Sequence, residues 1–482
     1  MNSLKQSISP RQAFLPILFF FALLIYGLFV HPQVMGTNET RIAYMLPIEV
    51  LILIAFCFNC AYLFRLGYDW ATIQEHVTKK VGESVPVILI LFAIGVLIGS
   101  WIVSGTIPML IYYGIDLINA NWIYIFAFLI CIIFSLLTGT SWGSAGTIGI
   151  VMMGIAEVYD ANLAIAAGAV VGGSFFGDKM SPLSDTTNIA SLATGVDVLD
   201  HIKSMLYTTG PSALIAGAIY FALSPYFSAT THTSSMHLES VQQTMSELEQ
   251  IFSFHILLLL PLAIVIFGSI RRKPIFLTLL TSAWVAMLLA FIFQSFSVNA
   301  IFNSFNKGFS VDMAPAGLEL KSNVIQILNR GGLYNLIDGI VISFLIFAYI
   351  GTLDVINAIE ISIRSLMNQL QKKSHTIAAA LTSTWLTNLM ASNQYATSFI
   401  IGETFNKKFD KMGIERKVLS RSIEDAGTMM ENLAPWTPSG VFMAGALGVS
   451  VIEYAPFQFL SLINIVLAYI FAFTGIACFY KR

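Results

Sequence analysis

Gly177-Asp178-Lys179-Met180-Ser181-Pro182-Leu183-Ser184-Asp185-Thr186-Thr187-Asn188 sets three charged side chains, four hydroxyls and one amide between two apolar runs, residues 164–176 and 189–196. Both runs read as membrane helix, so these polar groups fall at bilayer depth. An ionisable group there costs roughly 2.5–3.5 kcal/mol on insertion scales, which makes each one a functional candidate. Pro182 has no N–H. The Asp178 carbonyl four residues back therefore loses its helical donor, and Ser181 is pushed toward an extended conformation. A helix broken in this way, with free carbonyls beside carboxylates, is the device by which secondary transporters hold a coupling cation at midplane. The competing reading is a polar loop just outside the membrane, fastened by an Asp–Lys pair.

Composition supports the membrane setting. Of 482 residues, 56% are hydrophobic and 11% charged, against about 25% charged in soluble domains. A net charge of −2 gives no sign of a nucleic-acid partner. Cys57 and Cys60 have C-x-x-C spacing, but no second pair or nearby histidine completes a metal site. Like Cys131 and Cys478, they read as helix packing. Residues 14–30 follow Lys5 and Arg11, and His31-Pro32-Gln33 offers no small-residue cleavage site, so this is an uncleaved first span.

Further runs of spanning length lie at residues 42–64, 85–103, 122–137, 205–226, 255–270, 275–293, 336–352 and 457–480. Four less regular pieces, 142–158, 163–194, 377–405 and 418–447, carry the glycines, serines and prolines of helices broken inside the membrane. With fourteen crossings and a cytoplasmic N-terminus, only Arg41, Lys307, Lys321 and Arg330 of the basic residues fall outside, and Lys179 lies within the membrane. The positive-inside rule then places both termini in the cytoplasm. The loop 227–253 has no Lys or Arg and belongs outside, where His232 and His237 read as solvated. Glu157 and Asp160 fit another external loop with no special role. The expected divisions are N-terminal helices at 1–84, a first core at 85–226 with its broken helix at 163–194, loops and linking helices at 227–335 including 254–293, and a second core at 336–482 with its broken helix at 418–447.

The two cores repeat. A shift of 253 positions lays residues 193–200 on 446–453, Pro182 on Pro435, Ser184 on Thr437, Thr186 on Ser439 and Asp178 on Glu431. Upstream, after a small gap, residues 141–147 fall on 392–398. The loop 157–162 has no basic residue whereas its mate 406–421 has six, so the two face opposite sides, as inverted repeats require. The fold class expected is an all-α polytopic membrane protein of two inverted repeats with broken transmembrane helices.

Residues 177–188 also resemble the signature of the NhaC family of bacterial Na⁺/H⁺ antiporters. So do Thr138-Gly139-Thr140-Ser141-Trp142-Gly143-Ser144-Ala145-Gly146-Thr147, Ser104-Gly105-Thr106-Ile107-Pro108, and Glu424-Asp425-Ala426-Gly427-Thr428 followed by Ala434-Pro435-Trp436. The likeness runs from about residue 47 to the C-terminus. It implies an inner-membrane antiporter with paired hairpins and broken helices in inverted repeats. It also admits relatives that exchange organic anions such as malate and lactate, coupled to Na⁺ and H⁺. Met430-Glu431-Asn432 departs from the family pattern, which has small or proline residues there.

Chemically, burial disfavours the charged form of a carboxylate and a nearby cation restores it, so Asp178 and Asp185 are expected to hold either a proton or Na⁺. Ser181, Ser184, Thr186, Thr187 and Asn188, with the freed Asp178 carbonyl, offer neutral oxygens for a hard cation. Glu431, Asn432, Thr437 and Ser439 would close the site from the second repeat. Lys179 either neutralises one carboxylate or binds an anionic substrate, with Trp436 nearby. Gly95 with Gly99, and Gly168 with Gly172, have the spacing of close helix packing. No cofactor is expected beyond the transported Na⁺ and H⁺; a small carboxylate is the alternative cargo, the lipid bilayer is the medium, and a homodimer is one possible assembly. A channel would need a selectivity filter, and none is evident. An enzyme is not expected, because no histidine falls near these motifs to serve a hydrolase.

Overall fold

Apolar runs interrupted by glycine, proline and hydroxyl residues fold here as helices that stop and restart. The computed structural model describes residues 8–35, 41–227, 235–314, 318, 320–367 and 371–480, and among these it contains only helices, turns and one isolated bridge. Lys5, His232, Lys481 and Arg482 lie outside the described residues. Eight helices are long and apolar enough to cross a membrane, or ten if each of two sharply bent pairs counts as one span. Fourteen were expected. Lys373–Ala391, which carries four threonines, is among the helices too polar for that test. Within the expected external loop, Ser235–Ile251 is helical, and its part Val241–Ile251 meets Ile256–Ile270 at a bend of 102°.

The elements that build the site are, in chain order, α1 (Pro10–Ile25), α2 (Ile48–Arg65), α3 (Trp70–Val103), α4 (Ile123–Thr138), α5 (Ile150–Val158), α6 (Leu163–Met180), α7 (Asp185–Thr194) and α8 (Val198–Phe227). There follow α9 (Ile275–Phe293), α10 (Ile337–Asp354), α11 (Lys373–Ala391), α12 (Gln394–Lys411), α13 (Arg416–Ile423), α14 (Pro438–Leu447) and α15 (Phe459–Thr474). Helix α4 packs along α6, and α3 lies against both α9 and α10. In lipid, association rests on close packing rather than on escape from water. Gly168 shows it: a Cβ there would lie 2.6 Å from the Phe457 carbonyl oxygen.

The duplication is visible in the helix ends. Helix α4 stops at Gly139 with φ +69°, and α11 stops 253 residues later at Ser392 with φ +49°. The next residues, Thr140 and Asn393, each cap the following helix with a side-chain oxygen, accepting from Gly143 N and Ala396 N. Helices α7 and α14 end on Gly195 and Gly448, both left-handed. The register therefore needs no gap. The expected match of 141–147 with 392–398 is corrected to 394–400, because the left-handed stop and the cap that follows it fall at the same offset as everything downstream.

Glu157 is not an idle loop residue. It ends α5 buried, and Arg330 Nη2 donates to its carboxylate at 2.9 Å while the guanidinium lies against Gly448, past the end of α14. At the equivalent place Asp410, near the end of α12, pairs with Arg416 at 2.6 Å, and Arg416 Nη1 donates to the Thr194 carbonyl at the end of α7. Each clasp thus ties one helical hairpin, 141–180 in the first half or 394–431 in the second, to the short helix of the other half, α14 or α7. Each also puts a guanidinium at a helix C-terminus, where the helix dipole favours it. The sequence could not show this, since Arg330 lies 173 residues from Glu157. Asp160, by contrast, stays exposed in the turn.

Candidate functional site

The four irregular segments converge on one cavity of about 320 Å³. Sixteen of its lining residues form eight pairs at the offset of 253. Residues 139–142 match 392–395, Phe175 matches Thr428, Asp178 matches Glu431, Asp185 matches Pro438 and Thr186 matches Ser439. The cavity therefore lies where equivalent pieces of the two halves meet. Helices α3, α9 and α10 supply the rest of the wall, including Glu83, Ile275 and Phe347.

Asp178 is buried in the last turn of α6, and its carboxylate accepts two short hydrogen bonds, from Ser141 Oγ and Ser184 Oγ, each 2.6 Å. Ser184 Oγ also lies 3.1 Å from Thr186 Oγ1. Proline breaks the helix as expected, with Ser181 extended at φ −83°, ψ 133°. The freed carbonyl is met by Thr187 Oγ1 at 3.2 Å, a hydroxyl that shares its one hydrogen with the Lys179 carbonyl at 2.9 Å. Ser181 Oγ donates to the Leu136 carbonyl, and the Asn188 amide donates to the carbonyls of Pro182 and Ser184. These three residues hold the break in shape. Asp185 opens α7 at the cavity, exposed, with Tyr395 Oη donating to it at 3.4 Å.

The second half repeats the plan with different chemistry. Glu431 lines the cavity, buried, with the side chains of Ser439 and Asn388 beside it. Its own freed carbonyl is taken by Thr437 Oγ1 at 2.5 Å, and the same hydroxyl caps α14. Asn432 turns away: Gln458 donates to its side chain, which itself points toward the Met429 carbonyl and Ser461. Trp142 Nε1, in the first hairpin, reaches Ser439 of the second half at 3.2 Å, mirroring the reach of Tyr395 to Asp185. Trp436 donates to the Leu389 carbonyl and does not line the cavity.

Of the eleven residues singled out in the sequence, Asp178, Asp185, Thr186, Glu431 and Ser439 line the cavity, and Ser184 bonds directly to Asp178. Ser181, Thr187, Asn188, Asn432 and Thr437 do not line it. Ser141 and Tyr395 were missed, although both lie in segments whose similarity in the two halves is legible. Lys179 neutralises neither Asp178 nor Asp185. It is wholly buried on the other face of α6, in contact with Asp425, whose Oδ1 also accepts from Thr208 and Asn464. Among the described lining residues the cavity therefore has four carboxylates, Glu83, Asp178, Asp185 and Glu431, and no Lys, Arg or His. Glu83 pairs with Lys80 at 2.9 Å; the other three have no ion-pair partner among the described residues.

Membrane-length helices whose broken segments converge on one polar cavity are the architecture of a secondary transporter. Within that class the chain belongs to the Na⁺/H⁺ antiporter family, whose sequence model matches residues 173–476. It is 39% identical over 435 residues to an uncharacterised Na⁺/H⁺ antiporter of Haemophilus influenzae, covering 89% of this chain and 91% of that one. It is 35% identical over 458 residues to the Na⁺/H⁺ antiporter NhaC of Alkalihalophilus pseudofirmus, covering 95% and 96%. It is also 32% identical over 438 residues to the malate-2H⁺/Na⁺-lactate antiporter of Bacillus subtilis, covering 91% of each.

Proposed function

We propose that this protein exchanges Na⁺ for H⁺ across the inner membrane, with Na⁺ held between Asp178 and Asp185 and neutral oxygens such as Thr186 and Ser439 nearby. The observation that carries this reading is the cavity wall itself, acidic on both halves and without a basic side chain. A malate or lactate carboxylate would face like charges with no cationic partner, while a hard cation is met by oxygen. Asp178 can change state without rebuilding its surroundings. When ionised it accepts from both serines. When it takes a proton, Ser184 turns its own hydrogen toward Thr186 and becomes the acceptor. Na⁺ and H⁺ then compete for one carboxylate, and exchange follows if only the loaded site passes between faces.

In proteoliposomes, an imposed Na⁺ gradient is expected to drive H⁺ the opposite way at a rate unchanged by added malate or lactate. Proton movement that appears only with a carboxylate present would replace this reading with that of a carboxylate exchanger.

The two halves, cores 85–226 and 336–482, are proposed to be inverted relative to each other, with both termini cytoplasmic. The distribution of Lys and Arg supports this. A single cysteine at position 235, in a chain without its native four, is expected to react with an impermeant maleimide in intact cells. Reaction only after permeabilisation would reverse the orientation.

A further inference from the structure

Among the charged groups the proposed exchange does not use, Glu424 stands out. It is fully buried, and neither carboxylate oxygen has a hydrogen-bond partner among the described residues. Burial without a donor disfavours the charged form of a carboxylate. Glu424 opens a π turn, Glu424–Thr428, a rare widening of the helix often found at functional sites. Thr138, Thr147 and Thr194 each return their hydroxyl to the carbonyl four residues back. Thr428 does not. Its hydroxyl lies beside Glu424, also without a bonded partner, and Thr428 is a cavity-lining residue.

The charges around this acid suit a group that changes state. The charges of Lys179 and Asp178 on α6 both act on it, as does that of Asp425 in its own turn. Lys179 is paired with Asp425, and Arg421 Nε approaches Asp425 Oδ2 at 3.9 Å. With Asp178 neutralised by H⁺ or Na⁺, Lys179 and Arg421 together outweigh Asp425 around Glu424 by one positive charge. Loss of the proton from Glu424 leaves that cluster neutral, and its return leaves no buried anion unmatched. Helices α8 and α15 place the neutral Thr208 and Asn464 on Asp425, and the buried His201 of α8 is close enough to feel the Lys179 charge.

We propose that Glu424 is a second proton-carrying site, distinct from the cavity carboxylates and joined to the cavity through the Thr428 hydroxyl. The proton passes from water in the cavity to the Thr428 oxygen as that hydroxyl gives its own proton to the Glu424 carboxylate, and leaves by the reverse exchange. No covalent bond other than O–H is made or broken.

This inference rests on the Na⁺/H⁺ reading, and two fluxes separate their failures. In proteoliposomes, Glu424→Gln, which copies the neutral acid, is expected to keep ²²Na⁺/Na⁺ exchange within about twofold of wild type. Its Na⁺-driven H⁺ movement should fall at least tenfold, and Glu424→Asp should restore part of it. Retained Na⁺ exchange also reports a folded variant. Wild-type H⁺ movement in Glu424→Gln overturns the proposal. So does loss of both fluxes with joint recovery in Glu424→Asp, which would place the carboxyl in the cation site or the scaffold. Absence of Na⁺-driven H⁺ movement in the wild type would instead sink the functional reading. A check that needs no active variant is infrared spectroscopy of the wild type at neutral pH. A neutral carboxylic acid C=O band that Glu424→Gln removes is expected, and a spectrum unchanged by that substitution overturns the assignment.

Discussion

Asp178→Asn is expected to lower Na⁺-driven proton movement by roughly a hundredfold or more, at matched protein and with membrane insertion unchanged. The carboxylate receives two 2.6 Å hydrogen bonds from serines, one on the first hairpin and one in the helix break. Those bonds favour the ionised carboxylate, and the amide has no charge to pair with a cation; about 1.4 kcal/mol is a factor of ten, so a hundredfold loss needs only about 2.8 kcal/mol of that missing attraction. The amide fills the same space but has no site for a transported proton. Its NH₂ also meets a hydroxyl that was donating, so Ser141 or Ser184 must turn. Folding should survive, because the helix break is held by Thr187 and Asn188 rather than by this carboxylate. Wild-type exchange by Asp178→Asn would exclude this residue from the exchange site.

The second large effect is on stability. Lys179→Met leaves Asp425 buried with its closest cation gone, and breaking a buried pair from one side costs about 3–5 kcal/mol. Expression level and the melting midpoint in detergent should both fall sharply. Adding Asp425→Asn should recover part of the loss, because the amide oxygen can still accept from Thr208 and Asn464, while the buried Arg421 loses its carboxylate partner. The two single variants and the double form a cycle whose expected departure from additivity is at least about 1 kcal/mol. An additive cycle, or a Lys179→Met protein as stable as wild type, would show that the pair anchors nothing.

These two residues show what the sequence reveals and where it stops. The break after Met180 is legible because a proline and a run of hydroxyls cannot continue an apolar helix. The repeat is legible because stops and caps recur at one spacing. Orientation around a helix is different. Adjacent residues point about 100° apart, so Asp178 and Lys179 face separate environments however close they are in the chain. The partner of Lys179 is 246 residues away and lies in Glu424-Asp425, a motif whose similarity to the family was plain but whose position in space was not. The same distance problem hid the fate of the freed carbonyls. Proline predicts that an acceptor is released. It does not predict that Thr187 and Thr437 would meet those acceptors.

The exact spacing of the two halves has an energetic consequence. In the inverted arrangement proposed above, a transporter built from identical halves would have equal free energy whether it opened to one side or the other, since each state would be the other turned over. Any resting preference must then come from positions where the halves differ. In the cavity wall these include Asp185 against Pro438 and Phe175 against Thr428. Farther out, Arg330 closes on a buried carboxylate and Arg416 on a half-exposed one. The direction in which an empty carrier waits is therefore written in a short set of mismatched pairs, while the ability to turn at all belongs to the symmetry they interrupt.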